Sequence, residues 1–323
     1  MSIPEPATSD IALDTPEEKH SHIWFGVICA LIAAVGYTCA NIALRQSARP
    51  GNLEWSMWIT AHKAIPATLL TWTLVLNNYC NGRPAFPPKG LLLPLIATGF
   101  LMQFGGNMMF QFALGLIGLA MTVPMTFAMI LTAGAVSSRL FLGEPITLRT
   151  LLAMSILMFA VTILSMGAGE ASESILKTAS RADILLGILS AMISGTCYGL
   201  SGTVIRRNVK NLPVSATLFL ISTTGTVAMT TAALLSNPLE DLLATTPKEV
   251  VIMQLAGVFN AMAFYAIGTA YRHLAVTQTN MINTTQIAMA SVAGVVVFAE
   301  PMTIWLILGV VFTMIGLYLM ERR

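Results

Sequence analysis

Two similar stretches of the sequence lie 156 positions apart. The first reads Leu142-Gly143-Glu144-Pro145-Ile146-Thr147, and the second reads Phe298-Ala299-Glu300-Pro301-Met302-Thr303. Each stretch follows a long apolar run and precedes another one. A Glu-Pro-x-Thr pattern that occurs twice between segments of membrane length indicates that the chain contains the same unit twice.

The composition is that of a membrane protein. Of the 323 residues, 55% are hydrophobic and only 10% are charged, and the mean hydropathy is +0.75. Soluble globular proteins carry about 25% charged residues, so this chain has too few charges to cover a surface that faces water. The net charge of +2 is too small to suggest nucleic acid as a partner. We therefore predict a polytopic membrane protein.

The cysteines predict neither a metal site nor a cofactor. Cys29, Cys39, Cys80 and Cys197 lack metal-ligand spacing, and small packing residues are the simpler interpretation. Residues 1–21 are polar and do not have the basic-then-apolar order of a signal peptide. We interpret them as a disordered cytoplasmic tail.

A helix needs about 20 apolar residues to cross the hydrocarbon core of a bilayer, and lipid-exposed backbone must satisfy its own hydrogen bonds. The sequence therefore predicts an all-α membrane protein with ten transmembrane helices. Short links, one Gly-rich around Gly115 and Gly118 and one at Tyr271–Thr277, separate the third span from the fourth and the eighth from the ninth. The predicted spans are 23–44, 54–77, 91–112, 119–141, 147–166, 182–204, 213–235, 249–270, 278–298 and 302–320.

Lys and Arg in the connecting segments predict the orientation. With the N-terminus in the cytoplasm, the inner segments hold eleven of them and the outer segments five, and Lys63 lies inside a span. This asymmetry favours both termini in the cytoplasm, which an even number of spans requires.

A polar linker at 167–181 divides the chain into five-span halves at 22–166 and 182–323. Gly26, Ala30, Tyr37 and Arg45 of the first half match Gly187, Ala191, Tyr198 and Arg206 of the second. Because five spans is an odd number, the second copy enters the membrane from the opposite face. Such an inverted repeat is typical of alternating-access transporters.

With these features the chain resembles the drug/metabolite transporter superfamily over about residues 23–321, in particular ten-helix exporters with two EamA-type halves and, among them, the YddG type. The Glu-Pro pairs at Glu144 and Glu300, the five-plus-five organisation and the Gly-rich packing carry the resemblance. It implies that helices 1, 3, 4, 6, 8 and 9 enclose a central cavity and that helices 5 and 10 are peripheral. It also implies efflux of amino acids, often aromatic ones, and of some flat organic compounds.

Polar side chains inside the spans are candidates for a substrate site, and each also has a packing interpretation. Gln103, Asn107 and Gln111 form one helical stripe in the third span, and Asn280, Asn283 and Thr284 form another in the ninth. They either line a cavity or form bonds between helices, worth about 1 kcal/mol each. The other cavity candidates, for which aromatic or polar packing is the alternative, are Tyr37, Asn41, Thr126, Tyr198, Asn260 and Tyr265.

Lys63 is the only strongly charged residue well inside a span. Placing it there costs about 2.5–3.5 kcal/mol on insertion scales. It binds a substrate carboxylate, faces a water-filled vestibule or extends its ammonium group to the membrane surface. The neighbouring His62 could titrate near neutral pH, although a packing role is the simpler interpretation.

No Asp or Glu lies deep in any predicted span, which argues against proton-coupled export of permanently cationic drugs. The sequence thus predicts an inner-membrane exporter of amino acids and related small metabolites. Exchange of sugars, nucleotide sugars or phosphorylated metabolites is the alternative with the same fold. A membrane enzyme is disfavoured because hydrolytic motifs are absent. The predicted partners are a small-molecule substrate and the lipid bilayer, and a monomer is compatible with the sequence.

The topology places Glu144 and Glu300 at opposite membrane surfaces, where proline suits a first helical position and glutamate suits the positive end of a helix. We therefore expect the Glu-Pro pairs to start helices and to support folding more than selectivity. On this view Glu300→Ala reduces protein levels and leaves substrate preference unchanged.

Overall fold

The computed structural model describes residues 16–171, 180–289, 292 and 304–321, and every regular element in this part of the chain is helical. The helices are α1 (Pro16–Ser47), α2 (Leu53–Cys80), α3 (Leu92–Phe100), α4 (Met109–Leu142), α5 (Leu148–Ala171), α6 (Arg181–Val209), α7 (Val214–Ser236), α8 (Leu239–Leu243), α9 (Pro247–His273), α10 (Val276–Asn283) and α11 (Ile304–Glu321). A π-helical segment, Leu101–Met108, joins α3 to α4. The prediction of an all-α protein is confirmed.

Six helical stretches of the described chain are long and apolar enough to cross a membrane. They are Ser21–Ser47, Lys89–Leu119, Met121–Leu142, Arg181–Val209, Val214–Ser236 and Pro247–His273. Helix α2 has 28 residues but carries His62 and Lys63 near its middle. Large apolar side chains also point outward, such as Leu93 at 75% exposure and Leu235 at 82%, which suits a surface in contact with lipid. The count of ten helices and the inverted repeat remain predictions.

Several predicted boundaries are wrong. Helix α1 begins at Pro16, so residues 16–21 are helical and do not belong to a disordered tail. A proline is favoured at the first position of a helix, and the apolar run that follows extends the helix. Helix α5 continues to Ala171, so the first part of the predicted linker is helical as well. The second Glu-Pro stretch, with Glu300, lies outside the described residues.

Side chains and one glycine fix where several helices start and stop. Ser180 and Asp183 form a capping box at the start of α6, and Thr246 and Glu249 form another at the start of α9. Gly118 interrupts α4 with φ 72° and ψ 173°, a conformation that essentially only glycine adopts. The predicted break between the third and fourth spans therefore lies at this residue.

Helices from the two halves pack against each other. Helix α6 packs along α4 and the π-helical segment, α1 packs along α9, and α2 packs along α7. Helices α5 and α11 pack together through Phe159 and Phe312, whose ring centroids are 5.2 Å apart. The resemblance implied this peripheral position for the fifth and tenth helices.

We name the two ends of the bundle by an ion pair at each. At the Arg49 end, Arg49 pairs with Glu249 at 3.0 Å across the surface. At the Arg206 end, Arg206 pairs with Glu144 at 3.1 Å. An apolar cluster lies towards each end, one around Leu44, Trp55 and Met253 and the other around Val209, Val214 and Leu218.

Candidate functional site: a polar central cavity

A cavity lies in the middle of the bundle between the two apolar clusters, and both halves of the chain line it. Its volume is about 130 Å³, roughly ten times the 10–15 Å³ that one water molecule requires. It therefore has room for a molecule of the size of an amino acid. The described lining residues come from α1, α2, α3, α4, α6, α7, α9, α10, the π-helical segment and the helical residues 285–289, and none comes from α5 or α11.

The structure brings most of the predicted site residues together. Tyr37, Asn41, Lys63, Gln103, Asn107, Thr126, Tyr198, Asn260, Asn280 and Asn283 all line the cavity. Their role in binding a substrate stays a prediction. Helices α2 and α7 also contribute to the wall, although the resemblance implied a cavity formed without them.

Tyr265 and Thr284 do not line the cavity. The lining residues of α9 are Asn260, Phe264, Ile267 and Tyr271, which follow one helical face at intervals of three or four. Tyr265 lies about 100° away from this face and packs beside an apolar cluster. The buried hydroxyl of Thr284 donates to the carbonyl of Met281 and thereby serves the end of α10. The structure does not bring these two residues to the cavity with the other predicted ones, and their role in substrate binding stays a prediction.

Asn107 lies at the centre of a hydrogen-bond network that includes Lys63. Lys63 Nζ donates to Asn107 Oδ1 at 2.6 Å, and Tyr198 Oη donates to the same oxygen at 2.7 Å. Asn107 Nδ2 donates to Gln103 Oε1 at 2.9 Å, and Gln103 Nε2 donates to the carbonyl of Thr60 at 3.3 Å. Only 5% of Lys63 is exposed, so the ammonium group does not extend to the membrane surface.

The π-helical segment explains how Gln103 and Asn107 reach this position. A π-helix widens the turn, frees carbonyl groups from the regular pattern and occurs often at functional sites. Here Ser194 donates to the carbonyl of Gly106 at 2.9 Å. A Cβ atom at Gly106 would lie 2.7 Å from the ring of Tyr198. Glycine at this position therefore lets the tyrosine ring lie against the backbone, with its hydroxyl at Asn107.

The second amide group of the cavity lies on α10. Asn280 Oδ1 accepts a hydrogen bond from Tyr271 Oη at 2.7 Å. Asn280 Nδ2 is buried without a hydrogen-bond partner and lies against Gly134 of α4. Gln286 donates to Asn283 Oδ1 at 2.6 Å. The cavity wall thus offers several fixed amide and hydroxyl groups.

The sequence did not predict three further polar residues of the described wall, which are Ser222, Tyr271 and Gln286. Gln286 continues the spacing of Asn280 and Asn283 by three positions, so an extension of the helical stripe would have found it. Tyr271 was interpreted as part of a link between spans. When Ala113 is aligned with Ala270, the residue that corresponds to Tyr271 in the first half is Leu114, so no sequence signal marks Tyr271 as a cavity residue. The structure places it in the last turn of α9.

The carboxylate of Glu144 links helices α6 and α10. Its Oε1 accepts from Arg206 Nε at 3.1 Å, and its Oε2 accepts from the backbone N–H of Val276 at 3.0 Å. It therefore caps α10 and not the helix that follows it, because α5 begins only at Leu148. Arg206 also donates to the carbonyls of Tyr271 and Arg272. Glu144 and Arg206 thus hold the α9–α10 connection in place.

These features define a multi-pass helical membrane protein with a polar central cavity. Residues 185–322 match the model of the EamA-like transporter family. The C-terminal half thus carries an EamA-like transporter domain of the drug/metabolite transporter type, and this part of the predicted resemblance is confirmed. The comparisons with known proteins do not support the narrower resemblance to the YddG type.

A solved crystal structure of a protein superposes on this chain with a TM-score of 0.70 and 14% sequence identity. The superposition covers 92% of this chain and 96% of the other one. At this identity the likeness shows the fold alone. No curated protein matches the sequence.

Replacing Tyr198 by phenylalanine is expected to lower the free energy of unfolding by about 1 kcal/mol, because one hydrogen bond to Asn107 is lost while the ring keeps its packing. Thermal unfolding of the purified protein in detergent measures the change. Tyr79→Phe is the control, since Tyr79 is 64% exposed at the end of α2. A loss no larger than that of the control would show that the network does not stabilise the fold.

Proposed function

We propose that the protein is an alternating-access exporter of amino acids and related small metabolites, which lies in a bacterial inner membrane with both termini in the cytoplasm. The observation that carries this proposal is the central cavity, whose polar groups come from both halves of the chain. Lys63 and Asn107 belong to the first half, and Tyr198 and Asn280 to the second. Movement of one half against the other would expose such a site to each side of the membrane in turn.

The chemistry of the wall supports an amphipathic substrate of small size. Amide and hydroxyl groups lie beside the apolar side chains of Phe110, Phe127, Phe264 and Met102. The polar groups can hold the charged part of an amino acid by hydrogen bonds. The aromatic and aliphatic side chains can accept its side chain.

The charges of the wall support efflux down a substrate gradient. No Asp or Glu occurs among the described lining residues, and an exchanger of protons for cationic drugs would normally use one. A phosphorylated sugar would require several converging Lys or Arg side chains. Lys63 is the single Lys or Arg in the described wall, so this alternative has less support.

Growth in the presence of toxic amino-acid analogues tests the proposal. A strain that overexpresses the protein is expected to tolerate higher concentrations of an analogue such as fluorophenylalanine than a strain with an empty vector. Asn107→Leu, expressed at the same membrane level, places an apolar group at the centre of the cavity and is expected to abolish the difference. Unchanged tolerance to every analogue tested would contradict amino-acid export.

A further inference from the structure

Lys63 is a buried lysine whose hydrogen-bond partner is a neutral amide. Within the described part of the chain, its side chain forms one hydrogen bond, to the amide oxygen of Asn107 at 2.6 Å. The described wall of the cavity contains no carboxylate that could pair with it. Placing an ammonium group out of water costs several kcal/mol unless a negative charge compensates for it. The countercharge is therefore missing from the described part of the protein, at a position that faces a cavity.

The geometry around Asn107 leaves donors of Lys63 free for a ligand. An ammonium group has three N–H donors, and Asn107 accepts one of them. The amide of Asn107 is fixed, because its oxygen accepts from both Lys63 and Tyr198 while its nitrogen donates to Gln103. It therefore cannot turn to satisfy the remaining donors. A carboxylate, with two oxygens that accept several hydrogen bonds, suits them.

Among the described residues of the cavity wall, Asn280 also carries a buried donor without a hydrogen-bond partner. Asn280 Nδ2 is unpaired, and Asn280 Oδ1 is already occupied by Tyr271 Oη. The amide oxygen of Asn283 is occupied by Gln286. The wall also carries amide oxygens that can accept hydrogen bonds, on Asn41, Asn260 and Gln286. Lys63 is the one charged side chain in the described wall, and this charge favours an anionic group on the ligand.

We propose that the cavity recognises its substrate by a carboxylate bound to Lys63, and that an amino group on the substrate is not required. The inference rests on the proposed transport function and narrows it to carboxylates with an apolar or aromatic remainder. Asn107 holds the ammonium group in the empty cavity, and the substrate carboxylate takes its two free donors.

Four phenyl compounds separate the contributions of the two charged groups. Phenylalanine and 3-phenylpropionate carry the carboxylate, whereas phenylethylamine and phenylalaninamide carry only the amine. Binding to the purified protein in detergent is measured by calorimetry. We expect the two carboxylates to bind with affinities within tenfold of each other and the two amines to bind at least tenfold more weakly.

Variants of the lysine and of its partner test the contact itself. Lys63→Met is expected to lower the affinity for both carboxylates by at least tenfold, because it removes a charged hydrogen bond. Lys89→Met is the control, since Lys89 is exposed outside the cavity. Asn107→Asp places an internal carboxylate beside Nζ and is expected to weaken carboxylate binding as well, while it keeps the lysine and its packing.

The outcomes distinguish this inference from the proposed function. Equal binding of amines and carboxylates, or unchanged carboxylate affinity in both cavity variants, would overturn the inference, even if amino acids are transported. Carboxylate binding that depends on Lys63, without any flux in liposomes, would support the inference and contradict transport. Absence of both binding and flux would overturn both.

Discussion

Replacing Arg206 by glutamine is expected to lower the free energy of unfolding by about 3–5 kcal/mol, the usual cost of removing one partner of a buried ion pair. The side chains of Arg206 and Glu144 are only 12% and 13% exposed. The change leaves Glu144 without its countercharge and removes the donor to the carbonyls of Tyr271 and Arg272. The same carboxylate caps Val276, so the start of α10 is expected to loosen as well.

Arg49→Gln is the matched control for this prediction. Arg49 pairs with Glu249 at a similar distance, 3.0 Å, but its side chain is 48% exposed. Exposed ion pairs contribute about 0–1 kcal/mol. The Arg49 guanidinium also lies 3.4 Å from the centroid of the Trp55 ring, a contact worth about 0.5–1 kcal/mol, so this variant should lose clearly less stability than Arg206→Gln. The measurement is unfolding of both variants under the same detergent conditions. If the two variants lose equal stability, the buried ion pair of Arg206 and Glu144 stabilises the fold no more than the exposed pair of Arg49 and Glu249 does.

The double variant Glu144→Gln with Arg206→Gln separates the pair from its surroundings. Because it leaves no unpaired charge, it should lose less stability than the sum of the two single variants. Additive losses would mean that the two side chains act independently, which their distance of 3.1 Å does not predict.

Replacing Gly195 by alanine is the second change with a large expected effect. A Cβ atom at this position would lie 2.1 Å from the carbonyl oxygen of Thr126 and 2.7 Å from Met129 Cβ. Backbone atoms cannot move aside as the end of a flexible side chain can. Helices α4 and α6 must therefore separate, and we expect a loss of about 1–3 kcal/mol or more in the free energy of unfolding.

Gly90→Ala is the control for the packing prediction, because a Cβ atom there would meet nothing within 4 Å. The free energy of unfolding should change by no more than about 1 kcal/mol, because the main effect of this alanine is to reduce the conformational entropy of the unfolded chain. The two variants are compared by their apparent melting temperatures and by the fraction of each protein that stays monodisperse after heating. Equal behaviour of the two alanine variants would contradict close packing of α4 on α6.

The sequence predicted the class of fold because apolar runs of membrane length leave few alternatives to helices. It predicted a Gly-rich link around Gly115 and Gly118 between two such runs, and the helix is interrupted at Gly118. It misplaced the ends of α1 and α5, because helices in the structure extend beyond their apolar cores to Pro16 and Ala171. Hydropathy marks the part of a helix that is apolar and carries no information about how far the backbone stays helical.

The cavity was predictable where a helical stripe of polar residues existed. Gln103 with Asn107, and Asn280 with Asn283, recur at intervals of three or four and line the cavity. Thr284 lies next to such a stripe but serves the end of α10, a role that depends on where the helix stops. The sequence also did not predict the ion pair of Glu144, because its partner Arg206 lies 62 positions later in another helix.

We propose that small carboxylates cross the membrane through the cavity around Lys63 and Asn107. Flux of labelled phenylalanine into liposomes that contain the purified protein tests it most directly, with and without an imposed proton gradient. We expect saturable phenylalanine flux above that of protein-free liposomes, with or without the proton gradient. We expect this flux to be lost in the Asn107→Leu variant. Flux at the protein-free level for every amino acid tested, from protein that remains folded in the liposomes, would contradict it.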